Sequence, residues 1–256
     1  MTDGVIYVAT GADYVDLALQ SVKSLRASNP GVPADLFTDD PDRAGLDAFD
    51  RVHRVPRIHA RAKLDCLPLS RFERTLFLDA DTLVLGDLGD LWAVADRFDL
   101  ALAHDVRRRS ELIREGLEED TPYAFPQMNS GMMLYRKTGA ALAFFEDWAA
   151  RYQKSGVARD QIILKDLLWQ GDLRFYVLPP EFNLRRVTVL DAWEPLDAEV
   201  KIIHSHRLMD HLKGGQRIST LEDLLVAERE ALDGEWRQLG PQRRSQWFVR
   251  NDGDGS

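Results

Sequence analysis

The chain has 256 residues, 45% hydrophobic and 29% charged, with a formal net charge of −9. This balance fits a water-soluble protein with a real core and excludes a general nucleic-acid binder, which would carry a basic stripe. No run approaches the ~18 to 20 apolar residues of a membrane span, and a single cysteine, Cys66, excludes an intrachain disulfide. The N-terminus enters a strand-like run at once, without a basic segment followed by an apolar one. No signal peptide is therefore expected, and a cytoplasmic location follows as an expectation.

In chain order, Val5–Thr10 reads as a buried first strand, Gly11-Ala12-Asp13 as its turn, and Tyr14–Arg26 as a helix with Val15, Leu19, Val22 and Leu25 on one face. Asn29-Pro30-Gly31 stops that helix, and Ala34–Thr38 is a second strand. This β-α-β opening predicts parallel strands joined by a crossover helix. A third strand is expected over Arg51–Val55, a helix over Ala60–Leu69, and a buried strand over Arg74–Leu78. Beyond it come a short helix at Leu88–Trp92, a strand at Asp99–His104, a charged helix or flap over Arg107–Glu119 and a strand at Met128–Tyr135. Helices over Gly139–Tyr152 and Arg159–Trp169, strands at Arg174–Val177 and Val200–His204, and a helix over 219–237 complete the list. With no repeat and no linker, residues 1–240 read as one domain and 241–256 as a polar, flexible tail.

The rest is organised around Asp79-Ala80-Asp81, which follows the apolar run Arg74–Leu78. Carboxylates at i and i+2 of an extended chain point to one side. Two hard oxygen donors at the carboxyl end of a strand suit a divalent cation, which can in turn hold phosphate oxygens. Asp-x-Asp also occurs as Asp40-Pro41-Asp42 and Asp252-Gly253-Asp254, but no apolar strand leads into either.

Three further pieces end near the same edge if the strands are parallel. Thr10–Tyr14 opens the first helix, where a phosphate could bind and Tyr14 could stack on a base, although a plain β-α turn explains the same residues. His204 ends an apolar strand, and His206 follows; an imidazole beside two carboxylates favours manganese over magnesium, while a packing role is the commoner one for such a histidine. Asp160 opens a helix, where an acid is stabilised by the helix dipole whether or not it has a chemical role.

Together these pieces resemble glycosyltransferase family 8, the group of glycogenin and the bacterial lipopolysaccharide galactosyltransferases. The resemblance rests on Arg61-Ala62-Lys63-Leu64, Phe77–Leu85 with its Asp-Ala-Asp, Asn129-Ser130-Gly131, Asp160-Gln161 and His204 after Lys201-Ile202-Ile203, all in the family's order, over roughly residues 4 to 206. It implies a GT-A fold: α/β, with a mixed, mostly parallel central sheet flanked by helices. It also implies a retaining, metal-dependent transferase that moves a hexose from a nucleotide-sugar, a UDP-sugar by expectation, to a hydroxyl of a glycan or other acceptor. By resemblance, Asp79, Asp81 and His204 hold Mn2+ (or Mg2+). Thr10 and Tyr14 lie against the base. Arg61, Lys63, Ala80 and Asn129 belong to the donor site, and Asp160 and Gln161 to the catalytic centre.

The chain departs from the family after the metal histidine. The family's Lys-Pro-Trp, whose lysine touches the diphosphate, is replaced by His204-Ser205-His206-Arg207-Leu208-Met209-Asp210-His211-Leu212-Lys213. Lys213 or Arg207 is the candidate cation. Leu178-Pro179-Pro180-Glu181-Phe182-Asn183 also resembles a loop of bacterial relatives, in which Asn183 either approaches the ligand or only holds the turn. Two alternatives stay open: a non-catalytic nucleotide- or glycan-binding protein on the same scaffold, and a sugar-phosphate nucleotidyltransferase. The second is disfavoured because Thr10-Gly11-Ala12-Asp13 has one glycine and no basic residue.

Overall fold

The computed structural model describes residues 1–106 and 111–245. Its central sheet has seven strands in the order β3-β2-β1-β4-β7-β6-β8. These are β1 (Asp3–Val8), β2 (Ala34–Thr38), β3 (Arg51–Arg54), β4 (Arg74–Leu78), β6 (Leu100–His104), β7 (Met128–Arg136) and β8 (Phe175–Val177). All pairings are parallel except those of β7, which runs antiparallel to both β4 and β6. The sheet is therefore mixed and mostly parallel, as expected.

A second, two-stranded sheet pairs β5 (Thr82–Val84) with β9 (Ile202–His204), antiparallel. The sequence reading assigned no element of its own to Leu83, Val84 and Leu85, between the strand ending at Leu78 and the helix at Leu88. The chain bends at Ala80 and Asp81 and leaves one sheet for the other. Three residues are too few to show a strand's alternation by themselves, and β5 is held by its partner and by α1, which packs on it.

Alternation along the central strands divides the core into two layers. Val5 and Tyr7 of β1, Leu76 and Leu78 of β4, and Met132 and Leu134 of β7 face one way. There they meet α1 (Ala12–Ser28), α3 (Gly89–Ala95), the small sheet and Leu224 of α7 (Leu221–Ser245). Ile6, Phe77, Met133 and Tyr135 face the other way, against α2 (Lys63–Cys66), α5 (Gly139–Ser155) and α6 (Asp160–Gln170). Both faces are covered, which is why these strands read as continuous apolar runs. Each fully buried Leu, Ile or Phe contributes about 1.5–3 kcal/mol by its removal from water.

Several expected elements shift. The helix expected over Ala60–Leu69 is one α-turn, α2, followed by a 3-10 turn at Leu67–Leu69, because Pro68 cannot continue an α-helix. Of the expected helix or flap over Arg107–Glu119, residues 107–110 lie outside the described residues and α4 (Glu111–Arg114) is a single turn. The stretch after α4 is tied to α6: Leu117 and Glu118 N–H donate to Asp166 Oδ2 at 2.7 and 3.0 Å, and buried Lys165 donates to the Arg114 carbonyl. α7 continues through Ser245, so 241–245, assigned to the tail from sequence, are helical; 246–256 lie outside the described residues.

The reversal of β7 is what assembles the site. In the β4–β7 register Leu78 sits opposite Met132, so the start of β7 lies beyond the carboxyl end of β4. The Asp79 N–H donates to the Gly131 carbonyl at 2.8 Å. Asn129, Ser130 and Gly131 thus meet the ends of β1 and β4 by running toward them from the opposite direction.

Candidate active site

A cleft of about 530 Å³ opens at the carboxyl ends of β1 and β4. Its walls include Thr10, Tyr14, Arg61, Lys63, Asp79, Ala80, Asp81, Asn129, Asp160, Gln161 and His204. These are the residues singled out from the sequence, with one exception. Lys213 does not line the cleft: it ends the 3-10 helix His206–Lys213, is exposed, and is followed by Gly214 in the left-handed conformation. Arg207 does not line it either, and faces Asp210 and Glu235 at 3.9 and 4.0 Å. Besides Arg61 and Lys63, the wall contains the cation Arg185, and His206 lies in it too.

Three donor atoms converge at the cleft floor. One ligand atom each from Asp79, Asp81 and His204 lies within 4.8 Å of the others. His204 Nε2 is 3.3 Å from Asp81 Oδ1 and 3.9 Å from Asp79 Oδ2. The bend after β4 delivers the two carboxylates and the end of β9 delivers the imidazole; the Ser205 N–H donates to the Asp81 carbonyl at 3.0 Å and locks the two segments. Burial raises the pKa of Asp81, but His204 and Arg185 more than offset it and hold the acid below the usual carboxylate range. Two hard oxygens and one imidazole nitrogen at this spacing fit a divalent transition-metal ion.

Gly131 is glycine because His204 lies against it. A Cβ there would sit 1.9 Å from His204 Cε1 and 2.6 and 2.7 Å from its ring nitrogens. Behind the ring, buried Asn183 faces His204 Nδ1 with its Oδ1 at 3.1 Å and donates through Nδ2 to Asn129 Oδ1 at 3.0 Å. Asn183 therefore neither lines the cleft nor merely holds its turn.

Beside the donor triad is a charged cluster at the start of α6. Asp160, almost fully buried, is 2.9 Å from Arg61 Nε and 3.7 Å from Lys63 Nζ, and accepts the Ser130 hydroxyl at 2.9 Å. Burial raises its pKa, yet Lys63, Arg61 and Ser130 together bring it below the usual carboxylate range. Asp160 is thus a carboxylate at neutral pH and does not cap its helix; the Trp148 indole pins its backbone carbonyl at 3.0 Å. Lys63 also bridges to Asp79 at 3.5 Å, linking the cluster to the triad.

Gln161 is oriented by its surroundings. Its Nε2 faces three acceptors, Asp105 Oδ2 at 3.1 Å, Gln127 Oε1 at 3.3 Å and the Met128 carbonyl at 3.0 Å. An end that faces three acceptors must be the amide nitrogen, whose two hydrogens the three share, which leaves Oε1 as the end available to the cleft. Burial opposes ionisation of Asp105, but Gln161, Arg185 and the Val106 N–H outweigh it and lower its pKa.

Arg185 was missed from sequence. Among the described residues its Nη1 reaches only the His204 carbonyl, at 3.4 Å, and its buried Nε has no hydrogen-bond partner; its charge lowers the pKa of both Asp81 and Asp105. The search for a cation ran along the segment after His204, whereas Arg185 enters from the chain after Asn183. His206 is pushed below its ordinary value by burial and by Arg207 and Arg185, and is neutral at neutral pH.

The site thus sets two carboxylates and an imidazole at the strand ends of a mixed, mostly parallel α/β sheet. By sequence, residues 74–207, just over half of the chain, match the nucleotide-diphospho-sugar transferase family, and the chain belongs to that family. No curated protein matches the sequence.

Solved structures share the GT-A fold at low identity. The galactosyltransferase LgtC, solved with donor and acceptor sugar analogues, is 17% identical with a TM-score of 0.56, over 80% of this chain and 87% of that one. GlyE of Streptococcus pneumoniae is 17% identical with a TM-score of 0.53, over 79% of this chain, which spans only 55% of GlyE. Mouse xyloside xylosyltransferase 1 is 14% identical with a TM-score of 0.52, over 80% of this chain and 98% of that one. No helix among the described residues is long and apolar enough to cross a membrane.

Proposed function

We propose that the protein is a metal-dependent, retaining glycosyltransferase that moves a hexose from a UDP-sugar to a hydroxyl of a glycan or other acceptor. The observation that carries this reading is the convergence of Asp79, Asp81 and His204 in a cleft shared with Asp160 and Gln161. Asp79, Asp81 and His204 would hold Mn2+ or Mg2+, which would stabilise the charge growing on the departing nucleoside diphosphate. The imidazole in the donor set favours manganese.

The remaining roles belong to this chain's own side chains. Arg185 supplies the side-chain cation for the diphosphate, the place that Lys213 leaves empty. Thr10 and Tyr14, at the mouth beside α1, receive the nucleoside; Tyr14 is half exposed and offers an open ring face. Arg61, Lys63 and Asn129 border the donor sugar. Asp160 and Gln161 Oε1 present negative charge and a lone pair toward a sugar carbon that becomes positive as its bond to the leaving oxygen breaks. Asp160 is already engaged by Arg61, Ser130 and Lys63, which makes it a poor nucleophile. Retention through attack on the face the diphosphate leaves, guided by its phosphate oxygens, fits that engagement better than a covalent intermediate. Cys66 is a buried free thiol, which suits a reducing compartment and supports a cytoplasmic setting.

The test is a turnover screen of UDP-hexoses with Mn2+ and free sugars or glycans, followed by NMR of the product's anomeric proton. Release of UDP with a product that keeps the donor's anomeric configuration supports the reading. An inverted product would overturn the retaining assignment, and binding of UDP without turnover of any donor would favour a non-catalytic role.

A further inference from the structure

The hydrogen-bond chain behind His204 decides which of its ring nitrogens carries the hydrogen. The chain can be read from a donor whose identity is not in question. The Gly131 backbone N–H points at the Asn129 side chain at 3.0 Å, so the atom it meets must be the amide oxygen, Oδ1. At the other end of the same amide, 3.4 Å away, is Asp105 Oδ2, an acceptor that requires the Asn129 nitrogen.

Asn129 Oδ1 is also met by the Asn183 side chain at 3.0 Å, and an oxygen there can only be met by a donor, so that end of Asn183 is Nδ2. The end of Asn183 facing His204 Nδ1 at 3.1 Å is then Oδ1, an acceptor. It can be satisfied only by a hydrogen on Nδ1. In the neutral ring this leaves a lone pair on Nε2, where Asp81 Oδ1 at 3.3 Å and Asp79 Oδ2 at 3.9 Å are the acceptors that compete for the hydrogen until an ion lies between them. All four residues, Asp105, Asn129, Asn183 and His204, are at most 9% exposed, so water does not compete for these contacts.

We propose that Asn183 is a positioning residue that holds His204 in the Nδ1–H tautomer, with Asn129 and Asp105 fixing the polarity of Asn183. This rests on the reading of Asp79, Asp81 and His204 as metal ligands. Its consequence is that the hydrogen on Nδ1 is already held by Asn183, so an ion has only to take the place facing Nε2. Partners that orient a ligating histidine through its other nitrogen typically change metal affinity by 10- to 100-fold. The contact runs through a side-chain amide, whose two polar ends can be removed by mutation.

Two measurements test the proposal. The first is long-range nitrogen–proton NMR of His204 in the metal-free wild type, at a pH where the ring is neutral. The Nδ1–H pattern is expected, and the Nε2–H pattern overturns the inference whatever the protein does with metal or sugar. The second is Mn2+ titration followed by electron paramagnetic resonance, for the wild type, Asn183→Ala and Asn183→Leu. The leucine variant keeps the branching at Cγ and replaces the two polar ends with methyl groups. Both variants are expected to bind Mn2+ about 10- to 100-fold more weakly while remaining folded. Wild-type affinity in the folded leucine variant would show that Asn183 only fills space, and would overturn the inference. A folded wild type that binds no divalent ion would instead overturn the ligand reading of the triad, with the tautomer still judged by the first measurement.

Discussion

Replacing Gly131 with alanine is the sharpest perturbation of the site that leaves every donor atom in place. The added Cβ would lie 1.9 Å from His204 Cε1. Non-bonded carbons rest at about 3.5–4.0 Å, so the ring must retreat by about 1.6 Å or more. Metal–imidazole bonds are about 2.1 Å long and tolerate errors of about 0.2 Å, so a ring displaced this far ceases to be a ligand. Loss of a ligand should cost at least what the loss of an orienting partner does at its upper end, about 100-fold in Mn2+ affinity. Overpacking a buried site adds a destabilisation of about 1–3 kcal/mol. Mn2+ titration and thermal unfolding of Gly131→Ala measure both quantities. Adding His204→Ala to the same chain removes the clash, so the two substitutions should destabilise the fold by less than the sum of the single changes, while metal binding stays lost. Wild-type Mn2+ affinity in a folded Gly131→Ala protein would refute this reasoning, because it would mean that the ring does not hold the position from which ligation is argued.

Other outcomes follow from the charged side chains. Arg185→Met should weaken UDP binding about 10- to 150-fold, the equivalent of about 1.5–3 kcal/mol for hydrogen bonds to a charged group; Lys213→Ala, measured by the same titration, should leave it unchanged. Asp160→Asn should lower kcat by about 100- to 1,000-fold with a smaller change in KM, since the lost charge acts on the transition state; equal loss in both the variant and Lys63→Ala through unfolding, seen by circular dichroism, would point to a structural role only. For Asp105 the folded pKa is depressed, so its contribution to stability is present above the unfolded pKa near 4 and is lost as pH falls through the lower folded value. Urea unfolding from pH 6 downward should therefore show a shallower acid loss in Asp105→Asn than in the wild type.

How much of this was legible in the sequence depends on whether the signal was local. Strands buried on both faces, such as Val5–Val8 and Arg74–Leu78, announce themselves as apolar runs, and Asp79 and Asp81 stand out because such a run leads into them. Asp160 and His204 were flagged at a helix start and a strand end and Asn129 by resemblance; the structure brings all three to one cleft, although the parallel arrangement assumed for them holds only in part. The antiparallel β7 cannot be read from its own residues, because strand direction is a property of the pairing. The same holds for β5, whose three residues gain their identity from β9. Arg185 and Asn183 lie in a segment of short turns after Pro180, where no periodicity marks a face. One clue was available: two adjacent arginines, Arg185 and Arg186, follow Asn183 with only Leu184 between. They divide the work, Arg186 pairing with Glu228 of α7 at 3.2 Å and Arg185 entering the cleft wall. Only the tertiary arrangement separates them.

The central claim is that a divalent ion on Asp79, Asp81 and His204 holds a nucleoside diphosphate in this cleft. Calorimetric titration of UDP into the wild type and Asp79→Ala/Asp81→Ala, each with and without Mn2+, tests it most directly. Tight UDP binding is expected only for the wild type with Mn2+, with the metal's contribution abolished in the double variant. UDP binding of equal strength with and without the ion, or retained in full by the double variant, would contradict the claim.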